Sequence, residues 1–323
     1  MRRIKWRSAL PYLFAAVVLA GFAIYLAQNA ARYRELFVFS TRSLVLLVAL
    51  VLAAIVANGL INVSLYRALD APLTYNEGIG LGVINTLANQ LPFAGGLIAK
   101  GVYLKQRHAL AYESFLSATG ALYVCFVAAN GLVGLAVLAF LTFTRNAQGT
   151  LPIFWGFLAM AASSALLWVP ARTIDVLPPK WKRRVERMLA GWQTLSRDLP
   201  LVGGLVGLQV AATFVSAGRF WVAFHALSQD VTYAQCLLFS SATILTRLVS
   251  IAPGGLGVRE GIVAGVASLL GFDAAVSAVA VGIDRLVSTS VIIVLGAVYT
   301  YVLGRSVAEG ERVDSTVKGE GHR

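Results

Sequence analysis

The sequence predicts an all-α fold, a polytopic integral membrane helical bundle of about six full spans plus two re-entrant broken-helix hairpins. Three observations predict it. Hydrophobic residues make up 58% of the chain and charged ones 13%, against roughly 45–50% and 25% in soluble domains. Apolar runs of about 20 residues, enough to cross a bilayer, recur along most of the 323 residues. The Lys and Arg residues behind the net charge of +12 gather in the short segments between those runs, where the positive-inside rule expects them.

The first run, 9–28, follows Arg2, Arg3, Lys5 and Arg7. It has the regions of a signal peptide but is long enough to span, so a retained signal-anchor helix with a cytoplasmic N-terminus is expected. The second span, 43–66, returns the chain to a cytoplasmic loop at 67–77. The apolar stretch 78–99 is then interrupted by Gly and Pro. A simple crossing would strand Lys100, Lys105 and Arg107 outside, whereas a re-entrant hairpin keeps them inside. Span 113–142 leads out, and span 151–170 leads back to a loop dense in Lys and Arg between 172 and 197. Span 200–227 exits to SQDVTY. The second interrupted stretch, 234–272, ends at GFDAA, and neither flank holds a Lys or Arg, as a second hairpin entered from outside requires. The last span, 274–303, brings Arg305, Arg312 and Lys318 inside, so the C-terminus is also cytoplasmic. Arg32, Arg34 and Arg42 violate the rule in the first outside loop. The expected organisation is one transmembrane domain, 1–303, in the inner membrane, followed by a polar cytoplasmic tail, 304–323. Its halves, about 1–142 and 151–303, form an inverted-topology repeat, which in transporters places the substrate where broken helices meet.

The stretch RLVSIAPGGLGVREGI, 247–262, holds the strongest signal. Pro253, Gly254, Gly255 and Gly257 break a helix amid apolar sequence, and broken backbone at membrane depth is tolerated only against protein or a watery cavity. Arg259 and Glu260 lie just beyond, and Arg247, Arg219, Asp284 and Arg285 sit in other apolar runs. Buried ionisable groups are costly and mark function by default. With Lys100 the set has more cations than anions, which suits an anionic lipid head group. Internal ion pairing is the alternative for Arg259, Glu260, Asp284 and Arg285, and snorkelling to the interface for Arg219. The first hairpin offers Asn89, Pro92, Gly95, Gly96 and Lys100 as counterparts. Its PFAGGLIAK echoes PGGLGVR, although PLVGGLVGL at 200–208 shares the triplet without the basic residue. Asn85 with Asn89, and Asn58 with Asn62, each share a helix face, either for interhelical hydrogen bonds or to line a polar path. Trp181, Val185, Met188, Trp192, Leu195 and Leu199 form an apolar stripe on a basic helix, expected to lie on the inner leaflet. His108, His225 and His322 have no metal-ligand spacing, and no nucleotide-binding, nucleophile or nucleic-acid motif is present. No cofactor, metal or nucleic-acid partner is therefore expected.

Through APGGLGVREGI and the earlier NQLPFAGG the chain resembles the flippase-like transmembrane family named after the membrane region of lysylphosphatidylglycerol synthase. The resemblance implies a helical membrane protein that moves a lipid between leaflets. The best-known members carry a soluble aminoacyltransferase domain after the membrane part. The short tail here leads to no expectation of lipid lysylation, and hopanoid- and glycolipid-associated relatives leave the lipid open. The expected function is a lipid translocase for an anionic or modified head group. A membrane-embedded transferase with Glu260 or Asp284 as general base, or an accessory subunit of lipid synthesis, stands as the alternative.

Overall fold

The structure, a computed structural model, describes residues 40–89, 95–145, 151–168, 182, 186, 192–193, 195–247 and 257–320, with backbone alone at 145, 166–168, 247 and 304–320. In chain order its helices are α1 (Thr41–Arg67), α2 (Tyr75–Ala88), α3 (Gly95–His108), α4 (Tyr112–Arg145), α5 (Leu151–Ala162), α6 (Leu199–His225), α7 (Tyr233–Thr243), α8 (Val258–Leu269) and α9 (Ala274–Glu320). Among the described residues there is no strand, and α1, α4, α6 and the Ala274–Leu303 part of α9 are long and apolar enough to cross a membrane. The expected span 9–28 lies outside the described residues.

The span expected at 151–170 is less regular than its hydropathy. It is α-helical only to Ala162 and continues as a 3-10 helix from Ser163 to Trp168. Ser163 and Ser164 donate their hydroxyls back to the Met160 and Ala161 carbonyls, at 2.6 and 3.1 Å, which competes with the α-helical ladder. Pro170 follows and disfavours helical backbone in the residue before it. The helix of the last span instead runs on through the polar tail to Glu320.

The interrupted stretches each form a pair of short helices. Helices α2 and α3 are 14 residues each, roughly 21 Å at about 1.5 Å per residue, short of the roughly 30 Å of hydrocarbon. They run antiparallel. At their outer ends Tyr103 donates its hydroxyl to Glu77 Oε1 at 2.9 Å, and at their inner ends the Gly96 N–H donates to Asn89 Oδ1 at 3.1 Å. Gly96 has no room for a side chain, since a Cβ there would collide with the Asn85 carbonyl oxygen and lie 2.6 Å from Asn89 Oδ1. The second pair is α7, extended by a 3-10 turn from Ile244 to Arg247, and α8 of 12 residues. Phe239 on α7 meets Phe272, just past α8, edge to face with centroids 6.4 Å apart. Pro92, Pro253, Gly254 and Gly255 lie outside the described residues. PLVGGLVGL sits instead in unbroken α6.

The bases of the two hairpins lie at opposite ends of the bundle. Helix α9 starts beside the second, where Val276 shares a core with Leu227 and Val231. It reaches the first at Tyr299, whose hydroxyl meets Asn76 Oδ1 at 3.1 Å. At about 1.5 Å per residue the intervening helix is roughly 35 Å long, the thickness of a hydrocarbon core with some to spare.

The turns that launch the hairpins match bond for bond. After α1, Asp70 N–H bonds the Arg67 carbonyl, Ala71 bonds Tyr66, and Leu73 bonds Ala71. After α6, Ser228 bonds His225, Gln229 bonds Phe224, and Val231 bonds Gln229. Asp70 and Ser228 hold the left-handed conformation, with φ of 62° and 54°. Thr74 and Thr232 then cap α2 and α7, reciprocated by Glu77 and Gln235, each satisfying two backbone donors at a helix start.

Gly96→Ala should lower the stability of the folded bundle by roughly 1–3 kcal/mol through overpacking, seen as an earlier thermal midpoint in detergent. Gly203→Ala, in open surroundings, should unfold as the wild type does.

Candidate functional site

Between the hairpins lies a cavity of about 460 Å³, within the roughly 300–1,000 Å³ range of small-molecule sites. Both pairs of short helices contribute to its wall, Asn85, Asn89 and Lys100 from the first and Ser240, Thr243 and Arg259 from the second.

Its charged end is organised by Asp284 on α9, which is fully buried. Arg219 on α6 grips it with two parallel hydrogen bonds, Nε to Oδ1 at 2.7 Å and NH2 to Oδ2 at 2.9 Å, the fork geometry that makes guanidinium–carboxylate pairs strong. Arg259 makes an ion pair with the same carboxylate, NH2 lying 3.0 Å from Oδ2, and its guanidinium carbon lies 5.0 Å from the centre of the Phe220 ring. One carboxylate thus answers two guanidiniums, and the pair of cations keeps excess positive charge beside the cavity. Neither Asp284 nor Glu260 lines it.

Glu260 has two partners. Its Oε1 accepts from Arg285 NH1 at 2.9 Å, and its Oε2 accepts from the Gly257 N–H at 2.9 Å. Gly257 has φ of 79°, a conformation open to glycine without strain, and through it the chain re-enters the helix. Glu260 therefore pins the start of α8 to α9 and supplies a partner for one of the backbone donors left bare at a helix N-terminus.

At the other end Lys100 is buried and donates from Nζ to Asn62 Oδ1 at 2.9 Å, while Asn62 Nδ2 donates to the Gly78 carbonyl at 3.0 Å. The Lys100 ammonium also lies 5.6 Å from the centre of the Tyr66 ring. Between the two ends the wall is neutral and polar. Thr213 donates to Asn130 Oδ1 at 2.8 Å, and Ser240 donates to the Thr213 carbonyl at 2.9 Å, tying α4, α6 and α7 together. Tyr66 Oη and Thr119 Oγ1 lie side by side in this wall without a well-formed hydrogen bond.

Of the residues singled out in the sequence, the structure gathers Arg259, Arg285, Lys100 and Asn89 on one cavity. It sets Glu260, Asp284, Gly257 and Gly96 behind them as supports. Gly95 opens α3 and Arg247 closes the 3-10 turn, the Arg247 side chain being outside the described residues. Arg219 does not snorkel: it is 8% exposed and locked on Asp284. Asn62 and Asn89 make interhelical or inter-segment hydrogen bonds and also line the cavity, so the two readings of these amides coexist. Of the apolar stripe expected on the inner leaflet, Trp192 and Leu195 are buried in the protein core instead, whereas Leu199 is exposed and Trp181, Val185 and Met188 lie outside the described residues. Sequence reasoning missed Asn130, Gln209, Thr213 and Thr243, isolated polar residues in apolar runs. Their signal was a single amide or hydroxyl per helix, too sparse to separate from packing.

A family model described as the lysylphosphatidylglycerol synthase TM region matches residues 10–296. The chain belongs to this family. No curated protein and no solved structure matches it. Membership of the lysylphosphatidylglycerol synthase transmembrane family, together with the apolar helices, makes it a multi-pass membrane protein of lipid-related function.

Asp284→Asn should destabilise the bundle by about 3–5 kcal/mol, the cost of leaving a buried partner uncompensated, measured as a lower unfolding midpoint and a reduced folded yield. Arg259→Gln, which leaves the Arg219 fork in place, should cost clearly less in the same assay.

Proposed function

We propose that this protein is a lipid translocase that carries a lipid with an anionic head group between the leaflets of the cytoplasmic membrane. The observation that carries the reading is the polar cavity held between hairpins from opposite ends of the bundle, with an excess of cations over carboxylates among its described charged groups. A head group cannot enter hydrocarbon without losing its hydration, and a charged one loses most. A pocket that replaces water by guanidinium, ammonium and amide donors lowers that barrier, while the acyl chains stay in the bilayer.

In this reading Arg259 receives the phosphate, with Arg285 and Lys100 contributing to the field. From the sequence, Arg247, Pro253, Gly254 and Gly255 are assigned to the same site, with Pro92, Gly95 and Gly96 as counterparts, the glycines letting backbone approach the head group. Glu260 and Asp284 orient the cations. The two halves are inverted copies, a relation supported by the matching turns after α1 and α6 and by hairpin bases at opposite ends of the bundle. One hairpin then closes the cavity toward the cytoplasm and the other toward the outside, as alternating access needs.

Orientation has its own test. In a background lacking Cys125 and Cys236, single cysteines at Gln106 and Ala274, both exposed at hairpin bases, should react with impermeant reagent from the cytoplasmic and external faces respectively. Labelling of both from one face would defeat the inverted arrangement.

For transport, purified protein in liposomes carrying labelled phosphatidylglycerol on one leaflet should speed its appearance on the other. Arg259→Gln should lower that rate by about tenfold or more, the equivalent of about 1.4 kcal/mol, at similar folded yield, and Arg259→Lys should retain part of it. If no lipid, including native membrane extract, crosses faster than in empty liposomes, the translocase reading is wrong. Lipid modification in the presence of activated donors would then favour the transferase.

A further inference from the structure

The cavity also bears on which head group it takes, an inference that rests on the translocase reading. No Asp or Glu lines it among the described residues. The carboxylates nearest to it are committed, Asp284 to Arg219 and Arg259, and Glu260 to Arg285 and the Gly257 N–H. An aromatic face is the other receptor for an ammonium; of the three aromatic residues in the wall, Tyr66 already has the Lys100 ammonium over its ring, and Tyr123 and Phe126 are tilted against each other with centroids 6.5 Å apart.

A head group bearing its own ammonium would thus meet Lys100, Arg259 and Arg285 with no anion to receive it, and like charges in a poorly hydrated pocket repel strongly. The rest of the wall has another chemistry. Asn58, Asn85, Asn130, Gln209, Ser216 and Thr243 offer neutral donors and acceptors, which match hydroxyl groups, themselves both donor and acceptor. Several come from positions paired by the matching turns, Asn58 with Ser216 and Asn85 with Thr243, so the same chemistry faces the cavity from both halves.

From this we infer that the site selects a phospholipid whose phosphate carries an uncharged polyol or sugar, and discriminates against aminoacylated and amine-bearing head groups. The phosphate sits at the Arg259 end, and the hydroxyls of the head group replace their water by the amides and hydroxyls between Arg259 and Lys100. The cationic lipid in the name of the family is therefore a poor ligand for this chain.

The test is competition against labelled phosphatidylglycerol bound to the full-length protein in nanodiscs of phosphatidylcholine. The competitors are unlabelled phosphatidylglycerol, lysyl-phosphatidylglycerol, phosphatidylethanolamine and phosphatidic acid. Phosphatidylglycerol should compete at roughly tenfold lower concentration than either amine-bearing lipid, and at about threefold lower than phosphatidic acid, which has the phosphate without the polyol. Asn85→Asp or Ser216→Asp, each adding a carboxylate to the wall, should bring lysyl-phosphatidylglycerol to within about threefold of phosphatidylglycerol. The wild-type order decides the matter even where a variant fails to fold. Lysyl-phosphatidylglycerol competing as well as phosphatidylglycerol, or phosphatidic acid matching it, overturns the polyol selection while leaving anionic-lipid transport standing. No specific binding of the label to wild type, together with no acceleration of transport, overturns the translocase reading and this inference with it.

Discussion

Asp284 is cut off from water, and an ionised carboxylate in that position survives only if cations and hydrogen bonds replace its hydration. Two guanidiniums do so, from two different helices. The Arg219 fork uses both carboxylate oxygens and so fixes the register of α6 against α9. Arg259 adds a third anchor from the first turn of α8, just beyond the break in the second hairpin. A single buried negative charge thereby holds the scaffold and one hairpin in mutual register. Because it is outnumbered, it also leaves positive potential facing the cavity, in a medium where charge is weakly screened.

The hairpins obey a related constraint on the backbone. A helix that begins inside the bundle exposes N–H groups that no water of the bilayer core can receive. Both hairpins answer with a side chain. Asn89 accepts the N–H of Gly96 where α3 begins, and Glu260 accepts that of Gly257 where α8 begins. The two answers differ in charge. The second brings a carboxylate, which in turn needs Arg285, so the second hairpin is tied into the ion network and the first into the amide network of Asn62 and Lys100. The asymmetry leaves guanidiniums on the side of the second hairpin and a single ammonium, Lys100, held by an amide on the side of the first.

Much of the frame was legible in the sequence. Long apolar runs bounded by basic loops can hardly be anything but spanning helices, since a lipid-exposed backbone must close its own hydrogen bonds. Gly and Pro at 92–96 and 253–257, which lack a Cβ or a donor, set the expectation of helix boundaries there, and α3 starts at Gly95 and α8 at Val258, after Gly257. The α2–α3 pair is antiparallel, and each helix is too short to cross. Other features were not legible. Hydropathy treats 151–170 as one run, yet Ser163 and Ser164 tighten it to a 3-10 helix by local hydroxyl bonds. An apolar stripe has the same period whether it faces acyl chains or protein, so Trp192 and Leu195 read as interfacial but are core.

The sequence by itself determined the class of molecule and the types of chemistry available. Hydropathy, loop charge and helix-breaking residues act locally, each within a few residues of where it is read. Which charge meets which is a matter of contacts between residues far apart in the chain, such as Arg219 with Asp284 and Lys100 with Asn62, and nothing local encodes them. Only the tertiary structure decided that Glu260 and Asp284 stand behind the cavity as supports while Arg259 and Lys100 face it. It also turned sparse amides and hydroxyls on separate helices into one polar wall. The physical reason is that a buried charge or amide is governed by the partner that answers it, and that partner is chosen by how the helices pack.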